Sequence, residues 1–209
     1  MLGEASVVLP LAALGAAAGG LAWWVSGLFE AERRRLPLVT IVLATSVTFG
    51  WAAALVPFGW LLGASLVLAW TLGALAAVDA VALRLPDVLT LPLIAGGLMV
   101  SLALPDRPIA GHLAGAVAGY AVLAALAWAW RRWRGIDGIG LGDAKLLAAA
   151  GAWLGWRPLP EVVMIACALA LAWVAFVAIA RRTSPRGARI AFGAPLSLAI
   201  WIVWLYGPA

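Results

Sequence analysis

The sequence predicts an all-α fold: a polytopic integral membrane bundle of about eight transmembrane helices. Three observations carry that expectation. Of the 209 residues, 66% are hydrophobic and only 11% charged, and the mean hydropathy is +1.07. A soluble domain carries about a quarter of its residues as charged groups, so this apolar surplus has no aqueous surface to sit under. The apolar residues form runs of membrane-spanning length separated by Pro, Gly and charged clusters. Those runs are too long and too evenly apolar for the alternating strands of a membrane barrel. Finally, 13 Trp against 2 Tyr, with 23 Gly, suit interfacial indoles and close helix contacts.

The runs fall at 6–28, 37–56, 59–82, 87–104, 109–131, 142–156, 159–180 and 188–206. The first is longer than a signal-peptide core and follows Glu4 rather than a basic segment, so it reads as a retained helix. The second to fifth are bracketed by Pro37, Pro57, Pro86, Pro105 and Pro108, which stop or start helices. The sixth is shorter and contains Asp143 and Lys145; it is either a short half-buried helix or the continuation of a polar entry loop, and that irregularity marks it for chemistry. The seventh holds the lone cysteine, Cys167, expected to be a buried apolar filler, since one thiol forms neither an internal disulfide nor a paired-cysteine zinc cage. The eighth completes a single membrane domain over 1–209, with a first helix and short basic connection over 1–35 and a core over 36–209.

Orientation follows from the 14 Lys and Arg. Numbering the connections alternately puts twelve on one side (Arg33, Arg34, Arg35, Arg84, Arg131, Arg132, Arg134, Lys145, Arg181, Arg182, Arg186 and Arg189) and two, Arg107 and Arg157, on the other. The richer side is cytoplasmic by the positive-inside rule, which leaves both termini outside. The run boundaries do not depend on which side a charge falls, so this one-sided division supports the number of spans. The net charge of +5 and the pI near 10.7 therefore express membrane topology, and no nucleic-acid partner is expected.

Charged groups in or beside membrane spans are costly to bury and are functional candidates unless they reach the interface. Four aspartates lie on the cytoplasmic side: Asp79, Asp87, Asp137 and Asp143. Asp79 follows a long apolar run and is the deepest acid of the third span; alternatively it is a helix-end acid paired with Arg84 or snorkelling to the interface. Asp143 ends the glycine-rich approach Gly138-Ile-Gly140-Leu-Gly142. Those glycines permit another chain to come close, or they simply lead into a helix with Asp143 as a stabilising first-turn acid. Lys145 is an interfacial snorkel or the partner of a nearby carboxylate. His112 has no HExxH or cysteine companion and reads as an interfacial or packing residue, so no metal is expected. Two carboxylates held together at low dielectric do not ionise together. The ionised one takes a proton from water while the protonated one polarises a peptide carbonyl, which is aspartic-protease chemistry and needs no cofactor.

The stretch Asp79-Ala-Val-Ala-Leu-Arg84-Leu-Pro86-Asp87-Val-Leu-Thr90 resembles the first active-site motif of type IV prepilin peptidases, an Asp followed seven residues later by Pro and then Asp or Asn. Gly138-Ile-Gly140-Leu-Gly142-Asp143-Ala-Lys145-Leu-Leu and the helix after it resemble the second, the GxGD segment, with Asp137 where bacterial members often carry Glu. Phe192-Gly193-Ala-Pro195 resembles the FGP element with an extra alanine. The similarity runs from about residue 36 onward. It implies an intramembrane aspartic endopeptidase of the GxGD class in the cell inner membrane. Such enzymes cut the short basic leader from prepilins or pseudopilins at the cytoplasmic face, after a Gly and before the hydrophobic helix. The catalytic pair carries over to Asp79 and Asp143; Asp87, Pro86, Asp137, Gly140, Gly142 and Lys145 match motif positions and take supporting or substrate-binding roles.

Longer members insert a cytoplasmic domain with two CxxC pairs between the first two spans and also methylate the new N-terminus. Here that connection is Glu30-Ala-Glu-Arg33-Arg34-Arg35-Leu-Pro37, so the expectation is a short form without the zinc domain, with peptidase activity and no N-methyl transfer. Glu30, Glu32, Asp87 and Asp137 are expected to attract the basic leader, and the 135–142 segment to act as the gate that admits it. The contrasting reading is a non-catalytic membrane protein that uses the acids for ion or proton passage or for pilus-assembly contacts. The clustering of the acids at one face and the lack of a sequence repeat weigh against transport.

Overall fold

The structure is a computed structural model that describes residues 2–28, 37–104, 108–135, 140–181 and 191–207. The described residues form eight helices: α1 (Leu2–Gly27), α2 (Leu38–Leu55), α3 (Trp60–Ala82), α4 (Asp87–Ala103), α5 (Ile109–Arg134), α6 (Leu141–Leu154), α7 (Leu159–Arg181) and α8 (Gly193–Tyr206). Each expected run is a helix. Pro37, Pro86 and Pro108 sit at the N-cap positions of α2, α4 and α5, where a fixed φ costs no intrahelical hydrogen bond. Four helices, α2, α3, α5 and α7, are long and apolar enough to cross a membrane. α4 and α8 are shorter apolar helices, and α6, with 14 residues, reaches roughly 21 Å against about 30 Å of hydrocarbon. Large apolar side chains are exposed along α7, among them Met164, Leu171, Trp173, Phe176 and Ile179. Such a face suits lipid and not water.

The chain folds as two compact units, residues 1–82 and 83–209. In the first, α1 and α2 approach closely because α1 offers no side chain at the contact. A Cβ on Gly15 would lie 2.8 Å from the Ser46 Cα, and one on Gly19 would lie 2.6 Å from the Val42 Cα. Thr45, fully packed there, satisfies its hydroxyl by donating to the Ile41 carbonyl at 2.8 Å. α3 is tied to α1 through the Trp70 indole, which donates to the Ala18 carbonyl at 3.0 Å.

The second unit is built around α6. Ala144 and every residue over 146–153 are buried, so the helix expected to be half-buried is the core of its unit. Small side chains make this possible: van der Waals packing between apolar helices needs close backbones, and Ala and Gly permit them. α5 contributes Gly115 and Gly119 one turn apart. A Cβ on Gly119 would stand 2.5 Å from the Leu147 carbonyl oxygen, and one on Gly151 would fall on the Gly115 carbonyl. α4 and α8 are fastened to α6 through Trp153. Its indole N–H donates to the Leu93 carbonyl at 2.8 Å, and its ring meets Trp204 edge-on with centroids 5.3 Å apart. His112 is 5% exposed, and its Nδ1 lies 2.9 Å from the Ala152 carbonyl near the end of α6. A carbonyl only accepts, so Nδ1 carries the proton, and His112 is a packing residue that caps α6. α6 then stops at Gly155, whose φ of 81° lies in the left-handed region.

Gly151→Leu is expected to destabilise this unit by about 1–3 kcal/mol or more, because the added side chain must force two backbones apart. The check is the melting temperature of purified protein in detergent. Gly20→Leu, where a Cβ meets nothing within 4 Å, should leave it unchanged.

One expectation is corrected. Cys167 is not a buried filler but lies exposed on α7. An apolar run in a membrane protein can face lipid as well as protein, so hydropathy alone did not distinguish the two.

Candidate functional site

Asp79 stands in the last turn of α3, in the first unit. It is 5% exposed, and its neighbours Leu75 and Val78 are fully buried. A carboxylate so enclosed does not snorkel to an interface. Arg84, five residues on, is exposed.

The remaining described residues singled out by sequence belong to the second unit, where the first turns of α4 and α6 converge. Pro86, with φ −70° and ψ 135°, is the N-cap of α4, and Asp87 is its first residue, where the helix dipole favours an acid. The turn closes through the Pro86 carbonyl, which accepts from the Leu89 and Thr90 amides at 3.0 and 3.1 Å. Thr90 is completely buried and turns its hydroxyl back to the same carbonyl at 3.4 Å.

α6 starts at Gly140, its N-cap, so that Leu141, Gly142 and Asp143 form its first turn. The Asp143 amide donates to the Gly140 carbonyl at 3.1 Å. Its carboxyl turns back over the helix start, with Oδ2 only 3.3 Å from where a Cβ on Gly140 would stand. Gly142 has a different task. A Cβ there would lie 2.9 Å from the Leu85 Cβ, so the missing side chain lets the start of α6 rest against the segment that leads into α4.

Lys145 resolves the choice left open by sequence. Its Nζ lies 2.5 Å from Asp87 Oδ1, an ion pair between the first turn of α4 and the second of α6. Asp87, expected to attract a basic leader, thus also links α4 to α6. Asp137, Glu30, Glu32 and residues 136–139 of the proposed gate lie outside the described residues. The Asp87–Lys145 pair and the Gly142–Leu85 contact are features that sequence reasoning left unspecified, though the 58-residue separation of two opposite charges beside motif acids was a signal for the first. Pro195 falls in the first turn of α8, behind Phe192 and Gly193, a position that tolerates proline.

Fold and acids together define a polytopic helical membrane protein with a buried acid at the end of one helix and a Gly-x-Gly-Asp start to another. The chain belongs to the type IV leader peptidase family, which residues 66–175 match. It is 41% identical over 170 residues to a prepilin leader peptidase/N-methyltransferase of Aeromonas salmonicida, covering 81% of this chain and 55% of that protein. Proteins of the same name from Aeromonas hydrophila and Pseudomonas aeruginosa are 42% and 38% identical over 173 and 174 residues, in each case 83% of this chain and 59% of the relative. The chain thus spans a little over half the length of these curated relatives. No solved structure matches it.

Proposed function

We propose that this chain is an intramembrane aspartic endopeptidase that removes the basic leader from type IV prepilins or pseudopilins at the cytoplasmic face of the inner membrane. The observation that carries the reading is that both acids of the family motifs stand at helix ends within the matched region, Asp79 at 5% exposure and Asp143 at the start of the most buried helix of its unit. The reading requires the two carboxylates to share one proton. The ionised member removes a proton from water, and the water oxygen attacks the scissile carbonyl carbon. The protonated member hydrogen-bonds to the carbonyl oxygen as it gains charge. The tetrahedral adduct then expels the amine, whose nitrogen takes up the proton that the first carboxylate accepted from water, as the C–N bond breaks and that carboxylate is restored. The products are a leader with a new carboxylate and a pilin with a new N-terminus. The charge division among Lys and Arg supports a cytoplasmic location for both acids.

Incubating the purified chain in detergent or a bilayer disc with a prepilin and weighing the products tests this directly. One cut after the leader Gly is expected, and the same spectrum reports any added methyl group. A substrate of unchanged mass would overturn the proposal.

A further inference from the structure

We propose that Lys145 is a positioning residue: by pairing with Asp87 it fixes the rotation of α6 about its own axis and so aims the Asp143 carboxyl. The inference rests on the peptidase reading of Asp143.

A lysine has no local reason to stand where this one does. Near a helix N-terminus the dipole disfavours a cation, and α6 is otherwise apolar after Asp143. Its Nζ nevertheless lies 2.5 Å from Asp87 Oδ1, across 58 residues of chain. Residues two apart on a helix are separated by about 200° around the axis, so they never face the same neighbour. Holding Lys145 against the first turn of α4 therefore turns Asp143 away from α4. At this end of α6 the pair is the one described ion pair that reaches across to α4. Gly142 touching Leu85 sets how close the helix start comes, and a contact with no side chain on one partner resists rotation weakly. Lower down, the buried Leu146, Leu147 and Trp153 hold the body of the helix, so the pair acts on how its first turns are presented. The pair is part-exposed, with side-chain accessibilities of 29% for Lys145 and 55% for Asp87, so its role is directional more than stabilising.

The test measures kcat and KM for prepilin cleavage in Lys145→Met, Asp87→Asn, Lys145→Arg and the exchanged pair Asp87→Lys with Lys145→Glu. A reacting group displaced by about 1 Å loses about a hundredfold in rate, and partial rotation should lose about tenfold. The two neutral variants are expected to lower kcat about tenfold with KM and melting temperature little changed. Lys145→Arg and the exchanged pair should recover most of the rate. A second measurement does not depend on activity. With Cys167→Ser removing the only cysteine, Asp143→Cys reports the orientation of the first turn through its rate of thiol labelling. Lys145→Met should change that rate at least about threefold, and the exchanged pair should restore it. Unchanged kcat and labelling in the neutral variants would overturn the inference, as would an exchanged pair no better than either single change. If the unaltered chain cuts no prepilin, the peptidase reading fails, and the labelling ratio alone decides whether Lys145 orients α6.

Discussion

Asp79→Asn and Asp143→Asn are each expected to reduce leader cleavage by about 10³-fold or more while leaving the protein folded in the membrane. Asn keeps the shape of Asp and removes both its negative charge and its titrating proton. The proposed reaction needs one acid to take a proton from water and pass it to the leaving nitrogen while the other holds an acidic proton against the carbonyl oxygen, and an amide at either position has no such proton to take up or hold. General acid–base groups contribute about 10²–10⁴-fold each, and groups that act as one unit lose most of their joint effect when either is removed. The double variant should accordingly be little worse than the singles. Neither change should reduce stability: Asp79 is 5% exposed, and an amide is cheaper to bury there than a carboxylate. Product mass from purified variants, with melting temperature as the control for folding, decides the matter. Cleavage at the normal rate by either variant would remove that residue from the catalytic pair. Normal cleavage by both would leave the non-catalytic reading of these acids standing.

The helices were legible because each is delimited by chemistry that does not depend on packing. Pro86 and Asp87 open α4 in sequence and in structure alike, and the expected 159–180 run is α7 (Leu159–Arg181). α8 begins at Gly193, where the expected run began at 188, and residues 188–190 of that run lie outside the described residues. What hydropathy did not reveal is which face of a helix meets protein. In a soluble protein polar residues mark the outside; in a bilayer both faces are apolar and the contrast disappears. α6 and α7 illustrate this. Both read as apolar runs, yet the first is enclosed and the second leaves Leu171, Trp173 and Ile179 exposed. Residue size carried the missing signal, Ala and Gly on the enclosed helix and large side chains on the outer one. The acids were legible for a related reason: charge in an apolar run is conspicuous. Their company was less so, since nothing in the order of residues says that Lys145 reaches back to Asp87 or that Gly142 exists to meet Leu85.

That last contact gives the second large effect. Gly142→Val is expected to lower cleavage about a hundredfold although no acid, water or substrate group is altered. Even the Cβ of an alanine would lie 2.9 Å from the Leu85 Cβ and 3.4 Å from its Cδ1, closer than carbon atoms rest. The Leu85 Cβ cannot swing aside, because it is fixed to a backbone held by the following Pro86. The start of α6 must retreat instead, and Val adds two further carbons to the wedge. Such overpacking costs about 1–3 kcal/mol of stability, which the protein should survive. Asp143, the next residue, moves with the backbone, and displacement of a reacting group by about 1 Å costs about a hundredfold in rate. The clash is local and has a local remedy. Leu85→Gly removes the opposing Cβ, so combining it with Gly142→Ala should restore activity that Gly142→Ala alone reduces. A Gly142→Ala rate unaffected by residue 85, or Gly142→Val cutting prepilin as fast as the unaltered chain, would show that the glycine serves backbone conformation or substrate access and not the seating of α6.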